Sequence, residues 1–527
     1  MSYISYQFFL FLGAVLLGYT VTPSKYKWCV LLAGSAVFYW MNSRWLTVFL
    51  LCTTIAVYAA ARMLDSMEEG FSLAKGHLER EDKKRLKALV AGQKRGVVIC
   101  GLAVAVGLLL WLKYGAFFAG CWQHLPHHWR LPQPPVKTRM FLPLGISYYT
   151  LQAAGYLIDV SRGKCKACRN FAKLALFLTF FPQITEGPIG RYDRLSAPLF
   201  EGHPFEYERF TKGLQRIVFG LFKKLVIADR VNLFVSAVFE ESGTAPGGIL
   251  LLAGILYTLQ IYAEFSGCMD IVIGCAELFG IPMDENFARP FFAKSVSEFW
   301  RRWHITLGAW FKDYVFYSIS LSKPFMRLSK FVRRRGNDFL GAVLPAAMAL
   351  FFTWLGTGFW HGAAWKYAAY GLYYYLIMLA GMLLEPLFAK VCGSLHIHRQ
   401  GRAFSLFAMG RTALAVVGGM LLFRAESVSE WGTILAGIFG RFSLRETLAS
   451  VLRYDMDRKD FAVIAVGVVI LLVIGILQEK GIHVREAIAR RPLPVRWALY
   501  LALVMAVIVF GAYGRGYEAV DFIYGQF

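Results

Sequence analysis

The chain has 527 residues, 57% of them hydrophobic and 17% charged, against about 25% charged in a soluble domain, a balance that excludes an ordinary water-soluble enzyme. Its net charge of +23 comes from 57 Lys and Arg against 34 Asp and Glu, and because these cations are spread among short loops, not gathered on one polar domain, they do not describe a nucleic-acid binder. Runs of roughly 20 apolar residues, enough to cross a bilayer, recur throughout, so the expected fold is an all-α polytopic membrane protein of about eleven transmembrane helices plus re-entrant helices.

The first run, Tyr3 to Val21, lacks a preceding basic stretch and a small-residue cleavage site, and reads as a retained helix, not a removable signal. Trp28 to Met41, short for a full crossing, and Trp45 to Ala61 follow. Then come a loop from Arg62 to Arg95 with nine basic and six acidic residues and a span over Val97 to Lys113. His124, His127 and His128 stand next in a proline-rich stretch, as plain loop residues or as a metal site. A span over Phe141 to Val160 precedes Cys165 and Cys168, a CxxC without the second pair that a zinc site needs. The other cysteines are scattered, several inside apolar runs as small buried thiols.

Phe171 to Ile189 is apolar but interrupted by Pro182, Gly187 and Pro188 and carries Glu186, so a re-entrant element lining a cavity is expected there. Spans over Leu214 to Phe239, Ile249 to Ala263 and Gly267 to Ile281, the last again short, lead to a second basic loop. That loop, Arg289 to Asp338, holds eleven basic and three acidic residues. Within it Ser295 to Tyr317 spaces Phe299, Trp303, Trp310 and Tyr314 near the helical period, as a membrane-surface helix or the wall of a polar chamber. The remaining spans are Phe339 to Trp360, Ala364 to Leu387, Ala403 to Phe423, Phe461 to Leu477 and Trp497 to Tyr513.

Cytoplasmic loops are enriched in Lys and Arg, which places both basic loops inside. Glu426 to Asp460, with five basic and six acidic residues, belongs outside, and Glu479 to Arg496, with five against two, inside. Three spans before the first basic loop put the N-terminus outside the cell membrane, and the last span puts the C-terminus there too. Most of the charge is read as orienting the loops and contacting anionic membrane lipids.

Ionisable groups within apolar runs are functional-site hypotheses. Glu264, Ser266 and Asp270 (AEFSGCMD) fall between two runs, where the carboxylates either pair with arginines or face substrate in a water-filled cavity. His361 sits in TWLGTGFWHGAAW beside Trp360 and Gly362, with Gly356 and Gly358 ahead of it; its imidazole is either a hydrogen-bonded core group or a base kept neutral by burial. His304, in WRRWHITL, is either a polar-face residue or the inner counterpart of His361, the two bracketing a passage. No phosphate-binding GxxxxGK[ST], HExxH or GxSxG is present, so ATP-driven transport, zinc proteolysis and a serine nucleophile lack their signals.

Four segments resemble the membrane-bound O-acyltransferases, in the bacterial branch of alginate O-acetylation and of D-alanyl transfer to teichoic acid: FLPLGISYYTLQAAGYLIDVSRG (Phe141 to Gly163), FFPQITEGPIGRY (Phe180 to Tyr192), the long block Tyr262 to Phe316, and FWHGAAW (Phe359 to Trp365). The ending DFIYGQF (Asp521 to Phe527) is similar to the family's closing motif. The departures are VFYSISLSK after Tyr314, where alginate-type members read YIPLGG-like, and Gly525 in place of an aromatic residue. The first spans match only in character.

The resemblance implies a helical enzyme around a central tunnel, with 1–140 as N-terminal spans, 141–400 as catalytic core and 401–527 as closing spans. It implies His361 as the catalytic histidine and His304 as its support. Asn286, Trp300, Arg301, Arg302, Trp303, Trp360, Ser266, Asp270 and Glu186 are the expected substrate-binding residues, and no metal ligands are assigned. No cofactor is expected to be permanently bound. The implied donor is acetyl-coenzyme A or an acyl-phosphopantetheine carrier protein, and the acceptor an extracytoplasmic glycan, reached directly or through an extracytoplasmic acyltransferase partner. D-alanyl transfer toward teichoic acid is the chemical rival. A transporter without bond chemistry is the rival from another class; it predicts inverted repeats, and no convincing internal similarity is seen.

Overall fold

The computed structural model describes residues 1–76, 78–123 and 142–513. The triplet His124, His127 and His128, the start of the Phe141 segment and the closing DFIYGQF motif lie outside them. Among the described residues the structure is helical, with one isolated bridge between Phe287 and Trp303 in place of any sheet. Eight helical stretches there are long and apolar enough to cross a bilayer, set against the roughly eleven expected from apolar run lengths.

The chain divides into two compact units, Met1–Leu214 with Val272–Asp284, and Gln215–Ile271 with Glu285–Phe527. The first contains α1 (Tyr6–Val21), α2 (Lys27–Ser43), α3 (Thr47–Ala74), α4 (Arg80–Gln123), α5 (Ile146–Ser161), α6 (Phe171–Thr179) and α7 (Tyr192–Glu201). The basic loop at Arg62 to Arg95 is mostly the ends of α3 and α4, which run on as a helical pair joined by the ion pair of Lys94 with Glu68. α5 is only 16 residues long and buried on nearly every side, a core helix. After α6 the backbone leaves helical form at Phe180, as Pro182 and Pro188 require, and apart from the half-buried Thr185 the stretch is buried through Ile189. The Tyr3 hydroxyl donates to the carbonyls of Phe181 and Pro182, both at 2.9 Å, supplying polar partners that irregular backbone needs when it is removed from water.

α8 (Tyr207–Leu221) begins in the first unit and leads into a π-helical stretch, Phe222–Ala228, and α9 (Asp229–Glu240) of the second. The expected spans at Ile249 to Ala263 and Gly267 to Ile281 are one helix, α10 (Gly247–Leu278). The polar residues between those two runs do not break it, because their charges are satisfied laterally. Gly220 and Gly267 make the close crossing that permits this: a Cβ at Gly220 would stand 2.5 Å from the Gly267 carbonyl oxygen, so only glycine fits.

The segment Ser295 to Tyr317 is not one helix. It forms α11 (Val296–Arg302), a break at Trp303 and His304, α12 (Ile305–Phe311), a π-helical turn at Lys312–Phe316 and α13 (Tyr317–Ser320). The Ser295 hydroxyl caps α11 by accepting from the Glu298 N–H at 3.1 Å, while the Glu298 carboxylate accepts from the Lys294 N–H at 2.9 Å, a reciprocal arrangement that favours starting a helix there. Beyond lie α14 (Lys323–Arg334), α15 (Asp338–His361), α16 (Trp365–Ser394), α17 (Arg402–Arg424), α18 (Val428–Gly440), α19 (Leu444–Ser450), α20 (Arg458–Glu479), α21 (Val484–Ala489) and α22 (Leu493–Phe510).

Candidate active site

His304 occupies the break between α11 and α12 with φ of 49°, a left-handed conformation that costs a non-glycine residue about 1–2 kcal/mol and so needs support from its surroundings. The support comes from the strip Asn286 to Ala288. The Ala288 N–H donates to the Arg302 carbonyl at 2.9 Å and the Ile305 N–H to the Asn286 carbonyl at 3.0 Å, so the backbone on both sides of His304 is tied to one strip. The Asn286 side chain adds the lock. Its amide oxygen accepts from the Thr306 N–H at 3.0 Å and hydroxyl at 2.7 Å, and its amide nitrogen donates to the Met269 sulfur at 2.9 Å. Asn286, an expected substrate-binding residue, is fully buried, and its side-chain bonds to Thr306 and Met269 fix the backbone around His304.

The His304 ring is buried, with Phe265 edge-on at 4.7 Å and Trp360 at 5.6 Å between centroids. Burial pushes its pKa down to about 3, so the imidazole is neutral throughout the physiological range. His361 is the last residue of α15 and is also buried. Its ring meets Trp360 at 5.0 Å, Phe423 at 5.3 Å and Tyr370 at 5.9 Å. Gly358 permits this packing, since a Cβ there would stand 2.2 Å from the Tyr367 carbonyl oxygen. The two histidines therefore flank a single indole, that of Trp360.

Trp300 and Trp303 complete the aromatic surroundings. Trp300 packs against Trp354 at 5.0 Å, Tyr374 at 4.8 Å and Tyr370 at 6.3 Å, and Trp303 stacks on Phe299 at 5.3 Å. Tyr370 thus touches both Trp300 and His361.

The charged residues divide into occupied and available. Arg302 is bonded to Glu479 at 2.5 Å and to Glu298 at 2.8 Å, and Arg289 meets the same Glu479 oxygen at 2.6 Å, so Arg302 fastens α11 to the end of α20. Arg301, one residue earlier, is exposed, and among the described residues no carboxylate lies within ion-pair distance of it. Ser266 and Asp270 are taken by Lys223, whose ammonium lies 3.0 Å from the Ser266 hydroxyl and 2.5 Å from Asp270; Arg216 reaches Asp270 at 2.9 Å. Glu186 belongs to the other unit, buried in the irregular stretch after α6.

Lys223 and Lys224 escaped the sequence reading. The signal was present, since GLFKKLVIADR sets two adjacent cations inside an apolar run, which is a site hypothesis by default. Lys224 is fully buried between Asp229 at 2.8 Å and Glu264 at 3.0 Å. Tyr370 and Phe423, which wall His361, carried no local signal. Burial, with the carboxylates of Asp159 and Asp193 nearby, pushes the Cys165 pKa up to about 12, away from the thiolate. Among the described residues no cluster of three potential metal ligands occurs.

Residues 168–335 match the model of the membrane-bound O-acyltransferase family. The chain is 33% identical to the probable alginate O-acetylase of Pseudomonas fluorescens over 316 residues, 60% of this chain and 58% of that protein. With the probable alginate O-acetylase of Pseudomonas aeruginosa it shares 30% identity over 441 residues, 83% of this chain and 75% of the relative. It is 29% identical to the teichoic acid D-alanyltransferase of Bacillus subtilis over 293 residues, 54% of this chain and 67% of that one.

Proposed function

Because the chain belongs to the membrane-bound O-acyltransferase family, we propose that it moves an acyl group, foremost acetyl, from a cytosolic thioester to hydroxyls of an extracytoplasmic polysaccharide, directly or through an extracytoplasmic partner protein. The observation that carries this reading is the placement of His304 and His361 on either side of Trp360. The chain is a multi-pass membrane protein; its bacterial relatives favour a bacterial cytoplasmic membrane, and the distribution of Lys and Arg favours both termini outside.

In the proposed step His361 takes the proton of the acceptor hydroxyl as its oxygen attacks the thioester carbonyl. The new C–O bond forms, the C–S bond breaks, and the proton ends on the departing thiolate. A hydroxyl is a poor nucleophile without such a base. Negative charge gathers on the carbonyl oxygen during attack, where a fixed donor stabilises it. His304, being neutral, serves by an N–H and not as a cation.

Coenzyme A and a carrier's phosphopantetheine arm share phosphate, and of the block's cations without a carboxylate within ion-pair distance among the described residues, Lys294, Arg301 and Lys312, Arg301 adjoins the Trp300 wall and Arg302 and is the one we assign to it. Arg301→Gln is expected to raise KM for a phosphate-bearing donor about five- to tenfold, as loss of roughly 1–1.4 kcal/mol implies, with little change in kcat. Acetyl-pantetheine, which lacks the phosphate, should be insensitive; equal effects on both donors would remove Arg301 from this role. Transfer assayed in parallel with labelled acetyl-coenzyme A and with a D-alanyl-charged carrier protein tests the function itself. The second reading gains if only the charged carrier donates, and transport without label transfer from any thioester would overturn both.

A further inference from the structure

The stretch that joins the two histidine segments takes no part in the proposed chemistry. From Lys323 to Arg335 it carries six cations, Lys323, Arg327, Lys330, Arg333, Arg334 and Arg335, and no acidic residue lies between Asp313 and Asp338. None of the six has a carboxylate within ion-pair distance among the described residues. α14 divides into three faces. Its inner face is fixed to α15: the buried Ser329 hydroxyl donates to the Gly341 carbonyl at 2.6 Å, and Phe325 and Val332 are half-buried beside it. Lys323, Arg327, Lys330 and Arg334 recur at i, i+4, i+7 and i+11, which puts them on one outward face. Between the two runs a third row, Pro324, Leu328 and Phe331, with Phe331 52% exposed although the Arg335 guanidinium lies 4.4 Å over its ring.

Phe339 and Leu340 at the beginning of α15 are exposed apolar residues as well. Water would leave the row uncovered, and hydrocarbon would not accept the six charges. The boundary between headgroups and acyl chains satisfies both. We propose that α14 is an anionic-phospholipid site, its cations on headgroup phosphates and its Leu328–Phe331 row in the acyl boundary, holding the link between the His304 and His361 segments to the membrane surface. An acidic protein would match the cations but leave the exposed apolar residues of α14 and of the first turn of α15 without a partner. The inference stands apart from the acyl-transfer reading.

The test is amide hydrogen exchange over residues 323–335 of the full chain, in nanodiscs of phosphatidylcholine alone and of phosphatidylcholine with phosphatidylglycerol. Exchange is expected to slow about tenfold with phosphatidylglycerol and to lose that difference in high salt, which screens exposed charges. The variant Lys323→Gln/Arg327→Gln/Lys330→Gln/Arg334→Gln should show no composition effect, whereas Arg490→Gln/Arg491→Gln should keep it. If the fourfold variant does not fold, the wild-type comparison and its salt dependence decide alone. Equal exchange in the two lipids overturns the proposal, as does protection that appears only when an acidic carrier protein is added to phosphatidylcholine nanodiscs.

Discussion

Replacing His361 with glutamine is expected to lower acyl transfer by about 10²- to 10⁴-fold, the span of effects for a general base, with the protein still folded. The fold should survive because glutamine keeps the volume and a hydrogen-bonding end group among Trp360, Tyr370 and Phe423. The loss should fall on kcat, since a base acts on the proton in flight and adds little to ground-state binding. His304→Gln should also slow transfer, by less, because a neutral N–H donor stabilises the carbonyl oxygen without carrying the proton. Single-turnover transfer by purified, monodisperse variants decides the matter. A folded His361→Gln protein that transfers at the wild-type rate would remove the imidazole from the mechanism.

Lys224→Met is expected to destabilise the second unit by about 3–5 kcal/mol, the usual cost of stranding a buried charge. Lys224 has no exposed surface and stands between Asp229 and Glu264, so its removal leaves two carboxylates facing each other in the interior. Its neighbour Lys223 holds Ser266 and Asp270 on the same helix, α10. Phe265, between these anchored positions, is the residue whose ring meets His304, so the lysine pair fixes the wall of the site from behind. The triple replacement Lys224→Met/Asp229→Asn/Glu264→Gln removes the opposing charges as well, and should recover most of the stability. Thermal unfolding in one detergent compares the three proteins. A single variant as stable as wild type would show that the cluster is solvated and carries no such load.

Much of this arrangement was legible beforehand, and for local reasons. Apolar runs mark spans because a hydrocarbon layer tolerates little else, and Pro182 and Pro188 announce irregular backbone because proline cannot continue a helix. The two histidine motifs stood out because imidazoles are rare in such surroundings. What the residues alone left open was decided by lateral partners. Asp270, read as either paired with arginines or facing substrate, is held by Lys223 and Arg216, and Arg302, read as substrate-binding, lies against Glu479. The interruption at Glu264 to Asp270 looked like the end of one span and the start of another. With its charges paired and Gly267 admitting the backbone of Gly220, helix α10 passes straight through.

By itself, then, the amino-acid sequence determined the solvent this protein lives in, the approximate course of its spans and the two histidines worth testing, since each is set by hydropathy, charge or spacing along a few turns of chain. Only the tertiary structure decided that His304 and His361 share Trp360, that Asn286 holds the strained backbone between α11 and α12, and that two unnoticed lysines brace the wall behind them. Those contacts join residues distant in the chain, and packing between helices leaves no period or motif in the local sequence from which to read them.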